Sequence, residues 1–359
     1  MELLKQMYEI HSPSGKEQHL SKFIRGYVQT RMPDVIIRED EVKNLYFTKG
    51  ISKTYPCLVA HLDQVQHRRS KDFRVIETED ILFGYSGARR GMEGLGADDK
   101  NGIWIALKCL LQYDVLKVAF FVGEEVGCYG SHVADMTFFK DCRYVIEPDR
   151  HGKKDLITNI SWSTMCSKKF FTDIHADKFG YKQAAGLMTD ILALQNNGLA
   201  VSAINISCGY YDAHTDHEFT VKEDLLNCLA CVRHIIETCT EVYPHIGISP
   251  GFCRSAYSID DTLYRIMQAH PDYTAEDIWK VFQTNFPDYT EREFLDMFED
   301  YCALFKSDKR IKNKRNKPTH SIYGGSALSK RICSTCYPID YSQNSNNKNH
   351  QDHENHHKF

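Results

Sequence analysis

Four short apolar runs, residues 55–62, 118–122, 143–146 and 199–207, each stop at a polar stretch carrying His, Asp or Glu. Runs of this length are strand-sized, and their lack of strict alternation suits strands covered on both faces. Helical spacing at residues 3–10, 17–28, 181–195 and 221–238, and a nearly uniform apolar stretch at 103–111, supplies the covering layers. The alternation predicts an α/β fold: a mixed, mostly parallel central sheet with helices on both faces.

In such a sheet ligands gather beyond the carboxyl ends of the strands. The polar stretches occupy those ends, or the start of the next helix. They read Ala60-His61-Leu62-Asp63, Gly96-Ala97-Asp98-Asp99-Lys100-Asn101-Gly102, Gly123-Glu124-Glu125, Glu147-Pro148-Asp149-Arg150 and His214-Thr215-Asp216-His217-Glu218. Each has an ordinary explanation when taken alone. A histidine at a strand end is usually a polar terminus, an acid before a helix is usually a cap, and paired glutamates usually belong to an exposed helix. Taken in order, the set matches a chemical demand. Catalytic zinc takes imidazole and carboxylate ligands and keeps a position open, and a two-metal hydrolase needs a shared ligand and a free base.

His61 leaves its strand where an imidazole can reach a metal, and Asp63 can accept its ring N–H. Asp98, in a turn loosened by Gly94 and Gly96, can offer its two oxygens to two ions. Glu124 and Glu125 follow a buried strand and a glycine, so one can bind metal while the other moves a proton. Glu147 and Asp149 both follow the 143–146 run, and either can be a ligand. His214 lies in a loop crowded with ionisable groups.

The chain has 359 residues, 42% of them hydrophobic and 26% charged, enough for one large domain and a smaller piece. A net charge of -4 gives no global signal for a nucleic-acid partner. The basic run 309–317 reads first as a solvated linker. No stretch approaches the ~20 apolar residues of a membrane helix, and the first twelve residues read as an amphipathic helix rather than a signal peptide. An odd 13 cysteines, many in apolar segments, fit free thiols in the cytoplasm better than a disulfide framework.

After Pro244 the character changes. Residues 1–243 are expected to form the catalytic domain, 244–257 a linker, 258–306 a small helical module, and 307–359 a basic and polar tail, partly disordered. The Pro-Asp-Tyr-Thr repeats at 271 and 287 open helices, with a capping box at Thr290 and Glu293. Cys333 and Cys336 have the spacing of half a structural zinc site, the other half of which would need His350, His353 or His356.

Over residues 1–243 the ordered His-x-Asp, Gly-Ala-Asp-Asp-Lys-x-Gly, Gly-Glu-Glu and His-x-x-x-Glu motifs resemble the di-zinc metallo-exopeptidases: peptidase T-like tripeptidases and aminoacylases, glutamyl aminopeptidase-like enzymes and zinc aminopeptidases. The resemblance implies their phosphorylase/hydrolase-like fold and two Zn2+ ions per chain, with Co2+ or Mn2+ as alternatives. It implies His61 on one ion with Asp63 orienting it, Asp98 as the bridge, Glu124 as general base, Glu125 and His214 on the second ion, and an acid after Ile146 on the first. Asp149 looks more like the family's Asp pattern than Glu147 does. The intervals from His61 to Asp98 and from Asp149 to His214 are too short for the inserted lid or dimerisation domains of many members, so the site should be open and its side-chain preference illegible.

The reaction implied is amide hydrolysis through a di-zinc-activated water, most simply by an aminopeptidase acting on peptides. An N-acyl amino acid deacylase or dipeptidase on the same scaffold is the alternative, and a non-catalytic binding protein keeping the fold is the second. The substrate would be a peptide or an acyl-amino acid, with no membrane partner; the oligomeric state is not legible.

Overall fold

The computed structural model describes residues 1–160, 163–246 and ten separate positions between 275 and 298. The 247–257 part of the linker, most of the helical module, the basic run and the Cys333–Cys336 pair lie outside the described residues.

A nine-stranded sheet organises the domain. Across it run Ile36–Glu39, Leu45–Lys49, Leu116–Phe121, Tyr55–His61, Cys142–Arg150, Ala203–Ser207, Asp155–Ile160 and Ser163–Thr164, with Lys182–Gly186 also paired to Asp155–Ile160. The four strands from Leu116–Phe121 to Ala203–Ser207 are mutually parallel. The flanking pairs Ile36–Glu39 with Leu45–Lys49, Leu45–Lys49 with Leu116–Phe121, and Ala203–Ser207 with Asp155–Ile160 are antiparallel. The sheet is therefore mixed with a parallel centre, as the sequence predicts.

Every residue of Tyr55–His61 is buried. Successive side chains alternate between faces, so the strand feeds two cores. Cys57 and Val59 pack with Phe121, Val145 and Leu194, while Leu58 and Ala60 pack with Ile105, Phe120 and Leu229. Helices Glu2–Glu9, Gln18–Arg31, Ala97–Gln112 and Lys222–Thr238 cover the second face, and Asp190–Asn196 with the turn Met136–Phe139 covers part of the first. A strand with no polar face can persist only when both sides are covered in this way.

Helix Ala97–Gln112 is buried along most of its length, and its first residues are not helical: Asp98 and Asp99 depart from helical φ/ψ after Gly96, whose φ is 70°. The acids thus sit in a turn that delivers them to the sheet rim. Gly102 lets this helix approach closely, since a Cβ there would lie 2.5 Å from both the Asp99 carboxylate and the Pro148 carbonyl.

Two expectations are corrected. Residues 181–195 are not one helix: Lys182–Gly186 is a strand parallel to Asp155–Ile160, and only Asp190–Asn196 is helical. Edge pairing overrides the helical spacing there. The third apolar strand does not stop before Glu147 but continues to Arg150, so Glu147 and Asp149 lie within it. Its pairing with Ala203–Ser207 slips between Glu147 and Arg150, an irregularity of the kind that re-aims side chains near sites.

A second, five-stranded sheet combines Phe73–Glu77, Ile81–Ser86, Gly91–Met92, Phe219–Val221 and Tyr210–Tyr211. It packs the interval after His61 and the hairpin carrying His214 into one unit, which leads the chain back to Asp98. The nine described cysteines are all free, and eight are buried. Among the described residues no helix is long and apolar enough to cross a membrane.

Candidate metal centre

His61 ends its strand with only 1% of its side chain exposed. Its Nε2 lies 3.0 Å from Asp98 Oδ1 and 3.7 Å from Asp149 Oδ1. The other ring nitrogen, Nδ1, lies 3.1 Å from the Asp63 carbonyl oxygen and 3.4 Å from Asp63 Oδ1. The opposite oxygen of Asp98, Oδ2, is 3.2 Å from His214 Nε2, which is in turn 3.1 Å from Glu125 Oε2. Two three-residue groups result, His61–Asp98–Asp149 and Asp98–Glu125–His214, each tight enough to surround one cation, with Asp98 common to both. His61, Asp98, Glu125, Asp149 and His214 are brought together although the last lies 153 positions after the first.

Asp63 is the junction beneath them. Its carboxylate accepts the backbone N–H groups of Glu124 at 3.0 Å and Glu125 at 3.2 Å, and the Ser14 hydroxyl at 2.7 Å. Burial alone would raise this carboxyl, but the His61 ring and these donors hold it below its ordinary value. Gly123, at φ 65°, makes the turn that presents both amides. Cys128 Sγ lies 3.6 Å from Glu124 Oε1.

Glu147 is not in either group. Its carboxylate is fully buried, accepting from the Thr189 hydroxyl and from the Asp190 N–H at 3.1 Å. In the sequence, Glu218 has a place in the His-x-x-x-Glu motif and in the crowding around His214, but no role. The structure buries it completely, with Oε2 accepting Gly96 N–H at 2.6 Å and Oε1 accepting Asp98 N–H at 3.0 Å. It shapes the turn that offers Asp98. The signal for it was the fixed distance from His214 within His-x-x-x-Glu. Asn205 was also missed; its amide both accepts from Asp149 N–H and donates to Asp149 C=O.

Buried carboxyl groups outnumber the two imidazoles of the site. Asp99, Glu124, Glu125, Glu147 and Asp149 are all pushed above ordinary carboxylate values, by burial first and then by neighbouring acids, Asp98 and Asp190 among them, with Glu124 raised to about 8. Only Asp98 is held far below the ordinary range, because His214 and His61 outweigh its burial. Glu125 Oε1 is buried with no hydrogen-bond partner. Buried carboxylates in such number need protons or cations, and imidazole with carboxylate is the donor set zinc takes.

No protein-family profile matches the chain, and no curated protein does. Among solved structures, the aminopeptidase PepT from Bacillus cereus ATCC 10987 aligns at 14% identity with a TM-score of 0.53, over 67% of this chain and 98% of its own. A tripeptidase from Staphylococcus aureus subsp. aureus mu50 aligns at 13% identity and TM-score 0.54, over 66% and 96%. The aminopeptidase APDkam598 from the archaeon Desulfurococcus kamchatkensis aligns at 16% identity and TM-score 0.53, over 67% and 96%. This chain has the fold of these peptidases, the fold its motifs imply.

Proposed function

We propose that the chain is a metal-dependent exopeptidase, most simply an aminopeptidase, built around two divalent cations of which zinc fits the donors best. One observation carries this reading: the two oxygens of Asp98 face two different histidines, at 3.0 and 3.2 Å, and each histidine is accompanied by a further carboxylate. A structural ion-pair cluster has no need of a shared central carboxylate with separate partners on its two sides. The unpartnered Glu125 Oε1 supports the same reading. The solved structures that share the fold are described as aminopeptidases and a tripeptidase.

His61, Asp98 and Asp149 would hold one ion, and Asp98, Glu125 and His214 the other. When bound, the ions would supply a water acidified toward neutrality and a Lewis acid for the scissile carbonyl. Glu124 moves the proton. Burial and the acids around it lift its carboxyl in the ion-free chain; two bound cations would lower it again, leaving a carboxylate that can take a proton from the attacking water and return it to the leaving amine. Asp63 fixes the His61 ring and the amides of the Glu124–Glu125 turn. His214, with 52% of its side chain exposed against 1% for His61, marks the side on which the centre faces solvent.

The test is elemental analysis of the purified chain, followed by hydrolysis of aminoacyl-p-nitroanilides, short peptides and N-acyl amino acids. About two ions per chain and release of amino-terminal residues are expected. Cleavage confined to N-acyl amino acids would make it a deacylase, and bound metal with no turnover of any of the three classes would leave a binding protein.

A further inference from the structure

His214 sits at the tip of a hairpin whose stem pairs Tyr210 with Thr220 and Tyr211 with Phe219. Both Asp212, at φ 52°, and His214, at φ 65°, are in the left-handed region that non-glycine residues avoid. Within the loop, the Thr215 hydroxyl donates to the Asp212 carbonyl at 2.7 Å and accepts the His217 N–H at 3.0 Å. These bonds shape the turn but do not fix where it points. The stem is anchored by its pairing and by the Tyr211 hydroxyl on Asp224; nearer the tip, the anchors to other segments come from Asp216 and Glu218. Asp216 takes both arms of the Arg89 guanidinium, at 3.1 and 2.6 Å, and the Gly94 N–H at 3.3 Å. Arg89 also lies 3.8 Å from Glu93. Two parallel N–H···O bonds fix orientation as well as distance.

We propose that the Arg89–Asp216 ion pair positions the Glu125–His214 half of the centre, while the separate contact of Asp216 with the Gly94 N–H reaches the Asp98 turn that both halves share. The inference rests on the two-cation reading above. Its specificity follows from what each ligand stands on. His61 is set by a buried strand and by Asp63, neither of which touches Arg89 or Asp216. His214 is carried by the hairpin tip two residues from Asp216. Glu218 provides an internal contrast: it braces the turn of Asp98, which both halves share, so its loss should weaken both.

Two reference variants separate the halves. His61→Ala leaves Asp98, Glu125 and His214, and His214→Ala leaves His61, Asp98 and Asp149. Zn2+ alone is titrated calorimetrically into each, with and without Arg89→Ala. Both side chains of the pair are 45% exposed, so in the His61→Ala background Arg89→Ala should weaken zinc by about two- to fivefold, the scale of an exposed ion pair. In the His214→Ala background it should leave zinc binding unchanged. Arg89→Lys should recover part of the loss, and Asp216→Asn should reproduce the split by an independent change. Unaltered binding in the His61→Ala background, or equal losses in both, overturns the proposal. A wild-type chain that binds fewer than two ions overturns instead the reading beneath it, before any variant is made.

Discussion

The Asp63 carboxylate accepts the backbone N–H of Glu124 at 3.0 Å while its other contacts reach the ring of His61. One carboxylate thereby ties the proposed base to a proposed ligand from a different strand. Replacing Asp63 with Asn keeps the volume but puts an amide donor where one oxygen now accepts. The variant should bind metal about 10–100-fold more weakly and lose activity by a similar factor, the range for groups that orient metal ligands. Zinc titration together with peptide hydrolysis checks this. A variant with wild-type affinity would mean that the strand alone orients His61.

Glu124 is proposed as a proton carrier and not a ligand, so its two roles can be separated. Glu124→Gln should retain both ions and the fold while turnover falls by roughly 10²–10⁴-fold, the usual contribution of a positioned acid–base group. Metal content and kcat are measured on the same preparation. Loss of an ion from this variant would move Glu124 among the ligands.

Much of this was legible because the sheet does most of the placing. Once residues 55–62 and 118–122 are read as buried strands, His61 and the Glu124–Glu125 pair must emerge at the same rim, and the geometry agrees. Asp98 was legible for a different reason: glycines on both sides of two acids before an apolar helix mark a turn, and Gly96 at φ 70° makes it. What escaped depends on contacts between distant segments. Nothing local in Ile81–Ser86 reveals that it pairs with Phe219–Val221 across more than a hundred residues. The role of Glu218 follows from that pairing. The spacing at 181–195 was compatible with a helix, and only the available edge of Asp155–Ile160 decided otherwise.

Metal binding should release protons. Asp98 and Glu125 raise the His214 imidazole to about 11. Burial alone would lower His61, but Asp149, Asp63 and Asp98 carry it well above its ordinary value. In the ion-free protein both rings are therefore protonated near neutral pH, and a cation that takes the Nε2 lone pair must displace that proton. Apparent zinc affinity should rise with pH through the neutral range and fall on acidification. Calorimetric titration in two buffers of different ionisation enthalpy counts the protons. Zero net release would show that the rings are already neutral before metal arrives.

Glu147 and Asp149 share a strand but have different surroundings, and these make opposite predictions. Asp149 Oδ1 lies 3.7 Å from His61 Nε2, and the Tyr210 hydroxyl donates to it at 3.4 Å. Both oxygens of Glu147 are already engaged, by the Thr189 hydroxyl and the Asp190 N–H. Asp149→Asn should therefore lose one ion on dialysis and most of its activity, with little change in melting temperature once ion-free proteins are compared. Glu147→Ala should keep both ions but leave those buried donors unsatisfied, at about 1–3 kcal/mol, seen as a lower melting temperature. Metal analysis and thermal melts on both variants decide. An ion retained by Asp149→Asn and lost by Glu147→Ala would exchange the roles of the two acids.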